Sequence, residues 1–302
     1  MDLSKRNWLG LVHYYADRSF KTSFGVPFAP LEHKLLGSYL FEHLKFFEIH
    51  NYVPHLQQPR TFSEKICHRK FFDRDPRFGT VADKWAVRSF VAERVGTNIL
   101  NEVYCVESDF DAIPLDELPN QFAIRATHGS GMNVIVDDKT KLDIAEARRR
   151  CAQILNTRYG ILQNEFHYGD IPRRLIVERF LQTAGHPLID HRFHVFHGRC
   201  EIIQIDEGGV PPQGRRFYTR DWNALDYTTI VPMAPVRQRP AKLDAMIDIA
   251  EHLSREFDFM RVDLYLLDDD TIFFGEMTVA PGAGRKRFGP TIATDFELGR
   301  YW

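Results

Sequence analysis

Two acids near the C-terminal end are spaced to hold a cation. In RVDLYLLDDDTIFFGEMTVAPGAG, residues 261–284, the alternation of a strand puts Arg261, Asp263 and Tyr265 on one face and Val262, Leu264 and Leu266 on the other. A two-residue turn at Asp269–Asp270 sets Asp268 opposite Thr271. Counting back along both arms then places Asp263 opposite Glu276, with Phe274, Glu276 and Thr278 grouped on the return strand. Cβ atoms so paired lie about 5 Å apart, and like charges directly across a ladder destabilise it, so the pair calls for a positive partner. Hard oxygen ligands suit Mg²⁺, which keeps several waters and shares phosphate oxygens. An odd-numbered loop would put the acids on opposite faces. The competing reading has one acid in solvent and the other in a structural ion pair with Arg261; Thr278 and Pro281–Gly282 beside them weigh against it.

A second signal is FAIRATHGSGMNVIV, residues 122–136. A glycine turn between two strands exposes backbone N–H groups that can cradle phosphate oxygens, and Arg125 and His128 could add side-chain donors. A turn that merely turns is the competing reading. The chain contains neither GxxxxGK[ST] nor a strand-to-helix GxGxxG, so the two commonest phosphate-binding loops are excluded. In LIVERFL, residues 175–181, Glu178 sits mid-strand, where an unpaired buried carboxylate is costly. It pairs with Arg174 or Arg179, or accepts hydrogen bonds from a ligand.

Other reactive side chains carry less. His191, His194 and His197 form HxxHxxH, but on a strand a spacing of three puts neighbours on opposite faces, so they cannot converge on one ion. Arg215, Arg216 and Tyr218, with Asp221–Trp222, are expected in a long loop, facing a sugar acid or phosphate or simply solvated. Cys67, Cys105, Cys151 and Cys200 share no CxxC spacing and read as small apolar residues of a reducing compartment.

The elements that must position these groups follow from periodicity. LEHKLLGSYLFEHLKFFEIH spaces its apolar residues by three and four, as a helix does. Thr61 or Ser63 is a candidate cap for a helix in FSEKICHRKFF. In TVADKWAVRSFVAERVG, Thr80 and Asp83 have capping-box spacing, Val81, Trp85 and Val95 can share an apolar face, and Gly96 ends the helix. Lys84 is thereby placed in a first helical turn. QFAIRAT and MNVIVDD read as strands joined by the glycine turn, LDIAEARRRCAQIL as a charged helix, and DHRFHVFHGRCEIIQID as a hairpin turning at His197–Gly198. Residues 208–240 read as mostly loop, and KLDAMIDIAEHLSREF as a helix before the acidic hairpin. Strands and helices mix without a βαβ repeat, which predicts an α+β fold with antiparallel pieces.

Bulk properties set bounds. The chain has 302 residues, is 44% hydrophobic and 26% charged, and carries a formal charge of −2. Those are globular values, and the charge gives no broad drive toward nucleic acid. No stretch approaches the ~20 apolar residues of a membrane span, and MDLSKRNWLGLVHYYADRSF breaks its apolar residues with charge, unlike a signal peptide. A cytoplasmic location follows, with peripheral membrane attachment still open.

The order of these pieces resembles the ATP-grasp superfamily. FSEK, ADKWAVR, HGSG, VERFL, DHRFHVFHG, RDW, RVDLY and GEMTVAPGAG look like the TupA-like ATP-grasp family, associated with bacterial surface-polysaccharide and teichuronopeptide synthesis. The resemblance spans roughly residues 60–302. It implies two α+β lobes, 61–173 and 174–302, gripping ATP, after a short helical segment at 1–60 that could contact an acceptor or partner.

It further implies that Lys84 and Arg125 contact phosphates, and that Gly129, Ser130 and Gly131 close over them. Glu178, with the backbone near Phe180 and Leu181, would read the adenine edge, and Asp190 would take the ribose hydroxyls. Asp263 and Glu276 would hold Mg²⁺, with Arg261 facing the substrate. Arg125 stands where a lysine is usual, and Thr278 where an asparagine commonly completes the metal site. The implied activity is ATP-dependent ligation of a carboxylate, on a sugar or glycan, to an amine or amino acid through an acyl phosphate. A phosphotransferase or a non-catalytic ATP-binding protein are the alternatives.

Overall fold

The computed structural model describes residues 29–183, 188–209 and 211–302; the N-terminal signal-peptide reading and the middle of TAGHPLI lie outside these. In chain order the helices and strands are α1 (Ala29–His50), α2 (Phe62–Phe72), α3 (Arg77–Ala82), α4 (Val87–Val95), β1 (Val103–Glu107), β2 (Phe122–Ala126), β3 (Asn133–Val136), α5 (Ile144–Asn156), β4 (Leu175–Arg179), β5 (Asp190–Phe196), β6 (Arg199–Glu207), β7 (Gly214–Thr219), β8 (Ala224–Leu225), α6 (Leu243–Ser254), β9 (Phe259–Leu266), β10 (Ile272–Thr278) and α7 (Ile292–Gly299). Every strand pairing within the two sheets is antiparallel. The α+β expectation holds.

The described chain divides into two compact units, one of residues up to 74 with 160–166 and 280–302, the other of 75–159 with 167–279. In the first, α2 is capped by Thr61, whose hydroxyl accepts from Glu64 N while the Glu64 carboxylate accepts from Thr61 N. This reciprocal box satisfies two N–H groups that a bare helix start leaves open. Within the unit Glu42 is fully buried between Lys70 at 2.7 Å and Arg285 at 2.6 Å, and also accepts from Asn164 at 2.8 Å. Lys70 in turn donates to the carbonyls of Gln163 and Ala283.

The first turn of α7 docks through Asp295, which accepts from Ser63 N and Ser63 Oγ, both at 3.1 Å. Burial pushes its carboxyl up to about 6. An acid whose pKa rises on folding contributes stability below its unfolded value near 3.8, lost as pH rises through 6, a swing of about 3 kcal/mol. Asp295→Asn keeps the acceptor for Ser63 without the titration. It is expected to raise Tm at pH 7–8 relative to the unmodified protein, with the gap closing below about pH 4. Thermal denaturation across that range checks this, and a gap independent of pH would contradict it.

The second unit carries two sheets, ordered β1-β4-β2-β3 and β10-β9-β5-β6-β7-β8. In the smaller one, Phe122, Ile124, Val134, Leu175 and Val177 face α5 residues Ala147, Cys151 and Ile154. In the larger, Phe193, Val195, Ile203, Ile205, Val262 and Leu264 pack on α6 residues Leu243, Met246, Ile247 and Ala250. Side chains of this size contribute about 1.5–3 kcal/mol each when fully buried. Each sheet thus commits alternate residues to its core and leaves the others for a second, polar face.

Four local expectations are corrected. Lys84 lies not in a helix's first turn but in the turn between α3 and α4; Thr80 is inside α3, and no side chain caps α4. Trp85 is exposed and leaves the apolar face proposed for it with Val81 and Val95. Residues 214–219 form β7, where Arg215 and Tyr218 are buried, because β6 offers them a ladder that sequence alone does not show. The strand bearing Glu178, expected to open the C-terminal lobe, pairs with β1 and β2. The turn at His197–Gly198 is as expected: both residues have positive φ, 47° and 79°, which matches a type I′ hairpin.

Candidate functional site

The acidic hairpin reaches its register by a different route from the one expected. Leu267 N donates to Thr271 O, and Asp270 N to Leu267 O, so the loop has three residues, Asp268–Asp270, with Asp270 at φ 61°. That odd count alone would put Asp263 and Glu276 on opposite faces. A bulge between Phe274 and Glu276 inserts one more residue and restores the facing pair. Phe274 consequently packs in the apolar core rather than beside Glu276. The inserted Gly275 is where the backbone passes closest, since a Cβ there would lie 2.9 Å from Asp263 O.

Around the facing pair, Arg261 forks Asp263 through Nε and Nη2, both at 2.7 Å, and Nη2 also donates to Glu276 at 3.0 Å and Thr278 at 2.9 Å. The Thr278 hydroxyl reaches Glu276 at 3.0 Å. Arg261 therefore engages both acids, unlike the competing reading, in which it pairs with one and leaves the other in solvent. Arg192 enters from β5, directly opposite Asp263 in register. Burial pushes the Asp263 carboxyl up to about 6. Glu276 is also opposed by burial, but the charges of Lys84, Arg261, Arg192 and Arg125 hold it down at about 2.

Lys84 and Arg125 come from the smaller sheet's side of the unit. Lys84 N donates to Thr127 O at 3.0 Å and its ammonium to Gly129 O, which ties the α3–α4 turn to the glycine loop. Burial, and then the charge of Arg125, lower the Lys84 ammonium to about 8. Arg125 pairs with Glu178 at 2.7 Å across the ladder, so the partner of Glu178 is neither Arg174 nor Arg179. Arg174 reaches Asp83 instead, and the Arg179 guanidinium lies over the Phe273 ring at 5.1 Å. Despite burial, the Glu178 charge raises the pKa of Arg125.

The loop itself closes through Ala126 N to Met132 O, with Ser130 and Gly131 exposed at its tip. Gly129 is buried beneath it, and any Cβ there would meet Tyr159 and Met132 at 2.6 Å. His128, expected as a donor toward a ligand, turns inward and is 2% exposed. Phe180 and Leu181 directly follow β4 and are half-buried. The Asp190 carboxylate is held by Arg192 at 2.8 Å.

Sequence reasoning missed the row of charges that crosses the larger sheet. Arg192 bridges Asp190, Asp206 and Asp263; Arg215 forks Asp206 at 2.6 Å twice; Gln204 donates to Asp206 at 2.9 Å. The signal is present in DHRFH, whose alternate residues Asp190, Arg192 and His194 share a face. Burial lowers His191 to about 4 and His194 to about 3. Both are neutral near pH 7, on opposite faces of β5, and among the described residues no group of three or more His, Cys, Asp or Glu is arranged for a metal.

A family model described as TupA-like ATPgrasp matches residues 64–302. The chain belongs to the TupA-like ATPgrasp family. No curated protein matches it. Solved structures similar to this ATPgrasp chain include N5-carboxyaminoimidazole synthetase from Staphylococcus aureus complexed with ADP, at 10% identity over 67% of this chain and 45% of that one, TM-score 0.43. D-alanine–D-alanine ligase from Bacillus anthracis complexed with ATP follows at 14% identity, 68% and 56% coverage and TM-score 0.42. D-cycloserine synthetase matches at 13% identity over 91% and 80%, TM-score 0.41. The chain spans about half the length of the first two, and at these TM-scores none carries an argument about its site.

The donor set in this family member fits Mg²⁺. Asp263, Glu276 and Thr278 offer only hard oxygens on one face, and they already gather a guanidinium among them, so the patch demands positive charge. Two carboxylates leave the remaining positions to phosphate oxygens and water, which is how Mg²⁺ is usually bound beside a nucleotide.

Proposed function

We propose that this chain is an ATP-dependent carboxylate–amine ligase. The observation that carries the reading is the meeting of two oppositely charged sets: Asp263 and Glu276 on the larger sheet, and Lys84 and Arg125, whose charges act on Glu276. Phosphoryl transfer needs positioning and charge neutralisation more than covalent help, and this site is built from such groups. The nucleotide site lies within residues 61–302, and residues 1–60 meet an acceptor or partner.

In this reading Lys84 and Arg125 hold the phosphates of ATP under Gly129, Ser130 and Gly131. Glu178, with the backbone of Phe180 and Leu181, takes the adenine edge, and Asp190 the ribose hydroxyls. Asp263 and Glu276, with Thr278 beside them, hold Mg²⁺, which neutralises charge on the transferring phosphoryl group. Glu178 also keeps Arg125 aimed across the ladder. His128 lies outside this set, its ring facing the backbone of Ile154 and Thr157 at the end of α5.

A substrate carboxylate attacks the γ-phosphorus and releases ADP; an amine then attacks the acyl phosphate and releases inorganic phosphate. Arg261 stabilises the oxyanion formed in the second step. Family association points to a uronic acid or peptide substituent of a bacterial surface polysaccharide as the carboxylate, with an amino acid or other amine as its partner and the cytoplasm as the setting. No helix among the described residues is long and apolar enough to cross a membrane.

The test pairs uronic acids with amines and amino acids while following ADP release, with products identified by mass. The expected outcome is acid-dependent ADP and phosphate release with an amide product. A phosphorylated product without amide would make the protein a phosphotransferase, and no acid-dependent ADP release would count against ligation.

A further inference from the structure

Arg192 is the most heavily shared cation on the larger sheet's polar face. Its Nη2 meets Asp190 at 2.8 Å, its Nη1 meets Asp206 at 2.8 Å, and its Nε lies 3.4 Å from Asp263 Oδ2. Asp206 does not require it, since Arg215 already forks that carboxylate and Gln204 donates to it. The third contact is different in kind. The Nε–H is buried and makes no hydrogen bond of good geometry, so Arg192 faces Asp263 through charge alone, across a gap that a small rotation of the carboxylate would close.

Arg261 holds Asp263 from the other side, and its Nη2 serves three acceptors: Asp263, Glu276 and Thr278. Any cation drawing on Asp263 and Glu276 competes with Arg261 for the same oxygens. Arg192 is outside that competition, because Asp190 and Asp206 tether its two terminal nitrogens. Asp206 is itself buried and fixed, which makes it a rigid anchor. Four carboxylates, Asp190, Asp206, Asp263 and Glu276, share this face with three guanidinium groups, Arg192, Arg215 and Arg261. Loss of Arg192 would leave the acids two charges in excess rather than one, which by charge alone would strengthen cation binding, so a weakened site reports lost orientation of Asp263.

We infer that Arg192 is a positioning residue for the cation site: tethered by Asp190 and Asp206, it keeps Asp263 oriented when Arg261 gives up its hold. This rests on the assignment of Asp263 and Glu276 as cation ligands. Partners that orient metal ligands typically change metal affinity 10–100-fold when removed, and Arg192 is expected to fall in that range.

The experiment measures Mn²⁺ binding to the full chain in the presence of ADP by electron paramagnetic resonance, so that no turnover is required. Arg192→Gln is expected to weaken Mn²⁺ 10–100-fold, Arg192→Lys to recover part of the loss, and Asp263→Asn to weaken binding at least as much as Arg192→Gln. Lysine keeps a cationic partner for Asp190, so ADP affinity without metal should change less than threefold in Arg192→Lys, a split that a merely structural role would not give. If Arg192→Gln does not fold, Arg192→Lys decides, with an intermediate Mn²⁺ affinity expected. Mn²⁺ affinity unchanged in the Arg192 variants but weakened in Asp263→Asn would overturn the inference alone. Unchanged affinity in Asp263→Asn would overturn the cation assignment and the inference with it.

Discussion

Replacing Glu276 with glutamine is expected to lower ATP turnover by at least about 10²-fold, the loss typical when one electrostatic stabiliser of a transition state is removed. The substitution is nearly isosteric. The amide oxygen can still accept from Arg261, whose main fork is to Asp263, so the hairpin has what it needs to fold. What is lost is a negative charge that four nearby cations keep ionised far below neutral pH. Asp263→Asn with Glu276→Gln should be little worse than the more severe single change, because groups acting as a unit are not additive. ADP release titrated against Mg²⁺ measures both. Turnover and metal dependence that survive the double change intact would sink the assignment of this hairpin.

The second large effect is on stability. Glu42→Gln leaves Lys70 and Arg285 buried without their counter-charge, and breaking a buried pair on one side costs about 3–5 kcal/mol. Lys70 keeps two carbonyl acceptors, which softens the loss without removing it. The pH dependence gives a second check. Burial opposes ionisation of Glu42, but the charges of Lys70 and Arg285 hold its carboxyl at about 2. An acid lowered on folding contributes stability above its unfolded pKa, near 4.5, and loses it as pH falls toward 2. Chemical denaturation at pH 7 should show the full deficit, and the variant should lack the corresponding acid limb. A deficit under about 1 kcal/mol would show that the Glu42 charge contributes little.

How much of this was legible in the sequence depended on the range of the interactions. Periodicity located the glycine turn, the two hairpins and α5, because alternation and helical spacing are local. It misplaced Lys84, since the break between α3 and α4 has no proline or glycine to announce it. It read 214–219 as loop because Arg215 is buried only through Asp206, a partner on another strand. Arg192 was missed for the same reason: its three acids are read as one site only when β5, β6 and β9 are adjacent. Glu42, Lys70 and Arg285 look in sequence like solvated charge on helices and a loop. Nothing local distinguishes them from the exposed pair Arg149–Glu146.

The three-residue turn and the bulge at Gly275 together make the hairpin a matter of parity. Each device alone inverts which face Glu276 presents, and the two in combination cancel. In a hairpin of this length, loss of the bulge alone would set Gly275 rather than Glu276 opposite Asp263, and Glu276 would turn toward the apolar core. Deleting Gly275 outright would instead leave Glu276 opposite Asp263 in an unbulged ladder, because Phe274 keeps Leu264 as its partner. Related chains can thus vary the loop or lose the bulge residue and keep the pair, so long as Phe274 and Glu276 retain Leu264 and Asp263 as partners.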